Sequence, residues 1–162
     1  MLDLGCAPGA WLQVAAEHIG AGGLAVGVDL QGVEPGLPAN TRSHVGDITV
    51  VTPEEMLGWI RTGDDGEAMY DVVISDVAPN TTGAGDHYRS ERLCRRVLDI
   101  ARAVLRPGGN LAMKVFEGEL YPALLRDAGR MFRDVKGFKP EASRDVSREI
   151  YILGLGLREG GA

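Results

Sequence analysis

Four acids or amines in this chain stand where a strand-like run ends or bends toward a loop, and each is of a type that can grip a small polar ligand. Asp29 closes the apolar run Leu24-Ala25-Val26-Gly27-Val28, Asp47 follows a short run at Ser43 to Val45, and Asp76 closes Tyr70-Asp71-Val72-Val73-Ile74-Ser75. Lys114 sits inside the apolar run Asn110 to Phe116. Ahead of them all, Leu2-Asp3-Leu4-Gly5-Cys6-Ala7-Pro8-Gly9 carries two glycines into an apolar-periodic stretch. Such a turn lets backbone approach a ligand closely, and the free N–H groups of the following helix face it. A carboxylate at the position of Asp29, twenty residues after Gly9, can accept from both hydroxyls of a ribose. Asp47 is placed to accept from an exocyclic adenine amine. A lysine in an apolar run is rare unless paired, because desolvation disfavours its charge. Taken singly, each residue also has an ordinary reading: a Gly-rich turn, a turn-forming Asp, an edge-facing Lys.

The elements that must position these residues alternate. Strand signals at residues 2–4, 24–29, 43–45, 70–76, 110–116, 135–138 and 149–157 are separated by helical spacing at 10–19, 53–61, 87–105 and 120–132. Thr52-Pro53-Glu54-Glu55 is a helix start, with Thr52 as cap and Pro53 in the first turn. Gly20 to Gly23 ends the first helix and Pro107-Gly108-Gly109 ends the third. Strand and helix in alternation, with two strands close together at the end, predict a doubly wound Rossmann-like α/β fold: a mostly parallel sheet with a last antiparallel strand. In such folds ligands bind beyond the carboxyl ends of the strands, which gathers Gly9, Asp29, Asp47, Asp76 and Lys114 into one region.

At 162 residues the chain suits a single domain, 1–162. It carries no long uncharged apolar run and no signal peptide, so neither a membrane span nor secretion is expected, and the cytoplasm is the expected compartment. Cys6 and Cys94 lie far apart, and His18, His44 and His87 are scattered, so no metal site is suggested. The formal net charge of -6 argues against a nucleic-acid partner, but its distribution reverses that reading. Residues 1–79 hold two Arg against twelve Asp and Glu, whereas residues 80–162 hold 15 Lys and Arg against 11 acids. An acidic half for a cationic ligand and a basic half for a polyanion is the division of labour this implies.

Asp3, Gly5 and Gly9 in the order D-x-G-x-x-x-G resemble the first motif of S-adenosylmethionine-dependent methyltransferases. The G-x-G-x-x-G of a nicotinamide-dependent oxidoreductase is absent. Four segments extend the likeness over nearly the whole chain: Asp3 to Trp11, Ser75-Asp76-Val77-Ala78-Pro79-Asn80, Lys114-Val115-Phe116-Glu117-Gly118-Glu119, and Lys139-Pro140 through Ser147-Arg148-Glu149-Ile150-Tyr151. In these the chain is similar to the FtsJ/RrmJ (RlmE) family of ribosomal RNA 2′-O-methyltransferases. The resemblance implies S-adenosylmethionine as cofactor, bound through Gly9, Trp11, Asp29, Asp47 and Asp76. It also implies a catalytic Lys-Asp-Lys-Glu set whose last three members are Asp76, Lys114 and Glu149. A ribose hydroxyl is a poor nucleophile, and a lysine of lowered pKa can take its proton; Lys114 is that expected base, positioned by Asp76 and Glu149.

The family's first catalytic lysine lies upstream of the glycine motif, in an N-terminal helical segment that also contributes to RNA binding. This chain starts after that point, so a missing N-terminal segment and an impaired enzyme are expected. Two readings follow: a monomeric enzyme acting on ribosomal RNA or the large ribosomal subunit at a uridine, or a cofactor-binding, RNA-associated module without turnover. Arg89, Arg92, Arg95, Arg96, Lys136, Lys139, Arg144 and Arg148 are the candidate phosphate contacts.

Overall fold

The computed structural model describes residues 1–61, 68–77, 86–116, 118, 120–140 and 149–160, with 86–90 as backbone only. Strand β1 (Leu2–Leu4) is buried along its whole length. It runs into Gly5 and Gly9, both at positive φ (84° and 119°), and Gly9 caps helix α1 (Ala10–Ile19). A side chain at Gly5 would stand 2.9 Å from Val77, so this turn needs glycine for space as well as for φ. The helix buries Leu12 and Ala16, four residues apart on one face, and ends at Gly20 with φ 69°.

Strands β2 (Ala25–Asp29) and β3 (Thr41–Val45) follow, then the short helix α2 (Pro53–Gly58). That helix starts on the reciprocal cap expected from the sequence: Thr52 accepts from the Glu55 N–H, and Glu55 accepts from the Thr52 N–H. Its second anchor is buried, the Tyr70 hydroxyl donating to the Met56 carbonyl at 2.7 Å. Strand β4 (Tyr70–Ser75), helix α3 (Asp86–Val104), strand β5 (Leu105–Phe116), helix α4 (Tyr121–Met131), strand β6 (Phe132–Phe138) and strand β7 (Glu149–Leu157) complete the order.

The seven strands form one sheet in the order β3-β2-β1-β4-β5-β7-β6. Pairs among the first five are parallel, and β7 inserts antiparallel between β5 and β6. This is the doubly wound arrangement expected from the sequence. On one face Leu111, Met113 and Val115 of β5 and Ile152 of β7 join Val97, Ile100 and Val104 of α3 and Leu124, Ala128 and Met131 of α4 in the main core. On the other, α1 buries Leu12 and Ala16 with Cys6 and Ala25. The alternate residues of β5, among them Lys114 and Phe116, therefore point away from the main core.

Three boundaries depart from the sequence reading by three residues or more. Pro107-Gly108-Gly109 is no gap between helix and strand: β5 already starts at Leu105, which pairs with Tyr70, and the three residues lie in a register shift before Asn110 pairs with Val72. Strand β6 begins three residues early because Phe132 pairs with Leu157. Helix α2 stops at Gly58 rather than near Arg61. In the first two, a ladder to a distant strand overrides local propensity. Residues 81–85 of the Gly-rich loop expected at 81–86, and parts of three of the four motif segments (78–80, 117, 119, and 141–148), lie outside the described residues.

Candidate active site

A cavity of about 490 Å³ opens at the carboxyl ends of β1, β2 and β4. It is lined by Gly5, Ala7 and Pro8 of the first turn, by Asp29 and its loop, and by Asp47 and Asp76. Asp29 and Asp47 are each fixed by hydrogen bonds. Asp29 accepts the Ala7 N–H on Oδ2 at 3.0 Å and the Gln31 N–H on Oδ1 at 2.9 Å, so both oxygens are oriented with lone pairs to spare. Asp47 accepts the Thr49 N–H and hydroxyl on Oδ1, each at 2.8 Å, which holds its carboxyl below the ordinary carboxylate range and leaves Oδ2 for a ligand.

Asp3 lies beneath this region, fully buried, with no hydrogen-bond partner for either oxygen. Burial, then the charges of Asp76 and Asp29, push its pKa up to about 7. Burial first, with Asp3 and Asp29 adding, pushes the Cys6 thiol up to about 12, which makes it an inert core group.

Beside the cavity the sheet brings Lys114 to Asp76. Ser75 pairs with Met113, so the next residue of each strand, Asp76 and Lys114, meet at the strand ends with Nζ 2.8 Å from Oδ1. From the other side β7 is registered so that Tyr151 pairs with Lys114 and Glu149 with Phe116, and Glu149 Oε1 lies 3.5 Å from the same amine. The Lys114 side chain is only 11% exposed. Burial is the largest single influence on it and favours the neutral amine. The hydrogen bond and charge of Asp76, with Glu149 and Tyr151, outweigh burial, and the pKa is raised. The balance that the sequence leaves open between burial and the neighbouring acids thus falls to the charged form, because two acids and a phenol surround one amine.

Of the residues expected from the sequence, Asp29, Asp47 and Asp76 line the cavity, and Asp76, Lys114 and Glu149 form one cluster joined to it through Asp76. Gly9 supplies the left-handed turn that starts α1. The Trp11 ring lies elsewhere, stacked on Tyr151 with centroids 5.9 Å apart and planes at 25°. Tyr151 itself was not singled out, although its place two residues after Glu149 on a strand puts both on one face. Burial, then the charge of Asp76, raises its phenol pKa. Arg95 and Arg96 are engaged on the α3 side, Arg95 with Glu91 and Asp127 and Arg96 with the carbonyls of Ile48 and Val51. The side chain of Arg89, and Arg144 and Arg148, lie outside the described residues. Among the described residues no group of His, Cys, Asp and Glu is placed to hold a metal.

The donor set suits a particular ligand. The described lining carries Asp29, Glu34, Asp47 and Asp76 and no Lys or Arg, a field that favours a cationic nucleoside and disfavours a pyrophosphate. Comparison with known proteins agrees. The family described as FtsJ-like methyltransferase matches residues 1–157. Ribosomal RNA large subunit methyltransferase E of Syntrophobacter fumaroxidans is 44% identical over 161 residues, covering 98% of this chain and 79% of that protein. Its counterpart in Desulforapulum autotrophicum is 46% identical, covering 98% and 75%. Among solved structures, a Plasmodium falciparum protein described as a ribosomal RNA methyltransferase superposes with a TM-score of 0.79 at 25% identity, over 96% of this chain and 85% of that one. The fibrillarin of Methanococcus jannaschii shares the fold, with a TM-score of 0.68 at 15% identity over 98% of this chain and 66% of that one. The chain belongs to the FtsJ-like methyltransferase family, and S-adenosylmethionine is its methyl donor.

Proposed function

We propose that this chain methylates a ribose 2′-hydroxyl of RNA, at a uridine of bacterial large-subunit ribosomal RNA, acting as a monomer in the cytoplasm. The relatives' names supply the substrate class. The observation that carries the reaction is the Lys114 amine, held by Asp76 and Glu149 where Asp76 joins the acidic cavity.

When bound, the donor supplies an electrophilic methyl group on a positively charged sulfur. Asp29 and Asp47, each fixed by backbone N–H groups, bind and orient its polar edges. Lys114 is the proton acceptor for the ribose hydroxyl. In the protein by itself the amine is held charged, and a positive charge brought close favours its loss of a proton. Asp76 and Glu149 then fix the neutral amine's position, and Tyr151, packed on Trp11, closes the side toward β7. Orientation of hydroxyl and base contributes the rest, since a well-aligned proton transfer is worth roughly 10²–10⁴ in rate.

The test is methyl incorporation into unmodified ribosomal RNA, with the product nucleoside identified by mass spectrometry. A 2′-O-methyluridine is expected. Methyl on a base, or none on RNA, overturns the assignment. Because a base must be neutral to act and Lys114 is held above its usual pKa, kcat/KM should rise about tenfold per pH unit across the neutral and mildly alkaline range. The upward shift at Lys114 also favours a second reading, a donor-binding, RNA-associated module without turnover, and the same assay separates the two.

A further inference from the structure

Past Lys114 the same face of the sheet continues outward as aromatic surface. Antiparallel pairing aligns Lys114 on β5 with Tyr151 on β7, and Tyr151 with Phe138 on the edge strand β6. Directly paired residues share a face, and so do residues two apart, which adds Phe116 and Glu149 to this surface. Of the three phenylalanines Phe132 is buried, while Phe138 is 48% exposed and Phe116 39% exposed. One exposed Phe needs no explanation, but two on the face of a buried, ion-paired lysine are a surface with a direction. With strands about 4.8 Å apart, Phe138 stands roughly 10 Å from Lys114 along the row, within reach of a neighbouring nucleotide.

The charges beside Phe138 choose the occupant. Lys136, exposed and two residues back on the same strand face, and exposed Lys139, next in sequence, flank it. Asp134, on that face too, lies farthest along β6 from the lysine cluster. Open aromatic rings bordered by cations are the means by which proteins hold unpaired nucleotides, the ring taking a base and the cation its phosphate. A duplex hides the faces of its bases and cannot use them.

Resting on the RNA methylation proposed above, we infer that Phe138 and Phe116 are a stacking platform for unpaired bases next to the methylated nucleotide, with Lys136 and Lys139 on the backbone. The enzyme thereby selects a single-stranded or splayed segment.

The test uses the whole chain with Phe138→Ala, Phe116→Ala and Phe138→Trp. Binding of a short fluorescein-labelled single-stranded RNA, and of the same sequence as a duplex, is read by polarisation; KM and kcat are measured on unmodified ribosomal RNA. Each alanine should weaken single-strand binding and raise KM by about tenfold, with duplex binding and donor affinity unchanged, and Phe138→Trp should restore affinity. Unchanged donor affinity certifies the fold; where Phe116→Ala loses it, the Phe138 pair decides. Wild-type single-strand affinity in the Phe138→Ala variant, or an equal loss for duplex, overturns the platform. If the wild type methylates RNA and Phe138→Ala is neutral, the platform alone falls. If the wild type binds single strands through Phe138 without methylating, the methylation reading alone falls. No RNA binding by the wild type sinks both.

Discussion

The two halves of the sheet build their parts of the site by different means. In the parallel half, β1 to β4, two cavity acids are held by neighbouring backbone, Asp29 by Ala7 of the first turn and by Gln31, and Asp47 by Thr49, while Asp76 at the end of β4 reaches across to Lys114. In the antiparallel half, Lys114, Glu149 and Tyr151 meet only because β5 and β7 pair in one register across more than thirty residues. A local clamp survives change elsewhere, whereas a register-built cluster depends on every rung of its ladder. The first half should govern affinity for the donor, and the second the rate of transfer.

Lys114→Ala is the largest expected break. It should lower kcat by roughly 10²–10⁴ while donor affinity measured by calorimetry stays within about twofold, since Asp29 and Asp47 keep the hydrogen bonds that hold them. Lys114→Arg should not rescue, because a guanidinium does not deprotonate near neutral pH. A variant that keeps its turnover, or that loses donor binding as steeply as rate, would erase the division between the halves.

Asp3 is the exception within the parallel half, a buried acid that no local clamp satisfies. Its pKa is raised from 3.8 to about 7, so between those values the folded chain keeps a proton that the unfolded chain has released. Stability should therefore fall as pH rises through that window, by about 4 kcal/mol for a shift of three units. Asp3→Asn carries no ionisable group and should lack this fall, being the more stable protein at pH 8. Urea unfolding of both proteins at pH 5 and pH 8 captures the two units of that window above pH 5, about 3 kcal/mol of the fall, and parallel slopes would show that Asp3 does not titrate there.

Asp29→Ala comes next. A hydrogen bond to a charged group contributes about 1.5–3 kcal/mol, which corresponds to a donor affinity weakened roughly ten- to a hundredfold. With saturating donor, kcat should be little changed. A fall in kcat without a fall in affinity would mean that the parallel half steers the reaction as well.

What the sequence made legible follows the same line. Strand ends marked by Asp29, Asp47 and Asp76, the turn at Gly5 and Gly9, and the cap at Thr52 are local signals, and the structure places each as read. Lys114 was conspicuous only as a charge in an apolar run, and its pairing with Glu149 came from family resemblance. Spacing alone cannot show which residue of β7 faces which residue of β5. The same gap hid the start of β5 at Leu105, the start of β6 at Phe132, and the row from Lys114 through Tyr151 to Phe138. The net direction of the Lys114 shift was illegible for a related reason, since it depends on how many acids the register delivers to one amine.

The smallest expected effect tests whether the halves communicate. The Trp11 ring on α1 belongs to the parallel half and stacks on Tyr151 of β7, beside the lysine cluster. An offset aromatic pair at this distance contributes about 0.5–1.5 kcal/mol beyond the area it buries. A cycle of Trp11→Ala, Tyr151→Ala and the double variant should give a coupling of that size in unfolding free energy, because the two rings touch. It should also give a coupling in kcat, since Tyr151 packs directly opposite Lys114 and its ring is steadied by Trp11. Coupling in stability but none in kcat would make the stack a strut that joins two independent halves. Coupling in both would make α1, the helix that starts on the Gly5–Gly9 turn, the element through which the first half sets the geometry of the second.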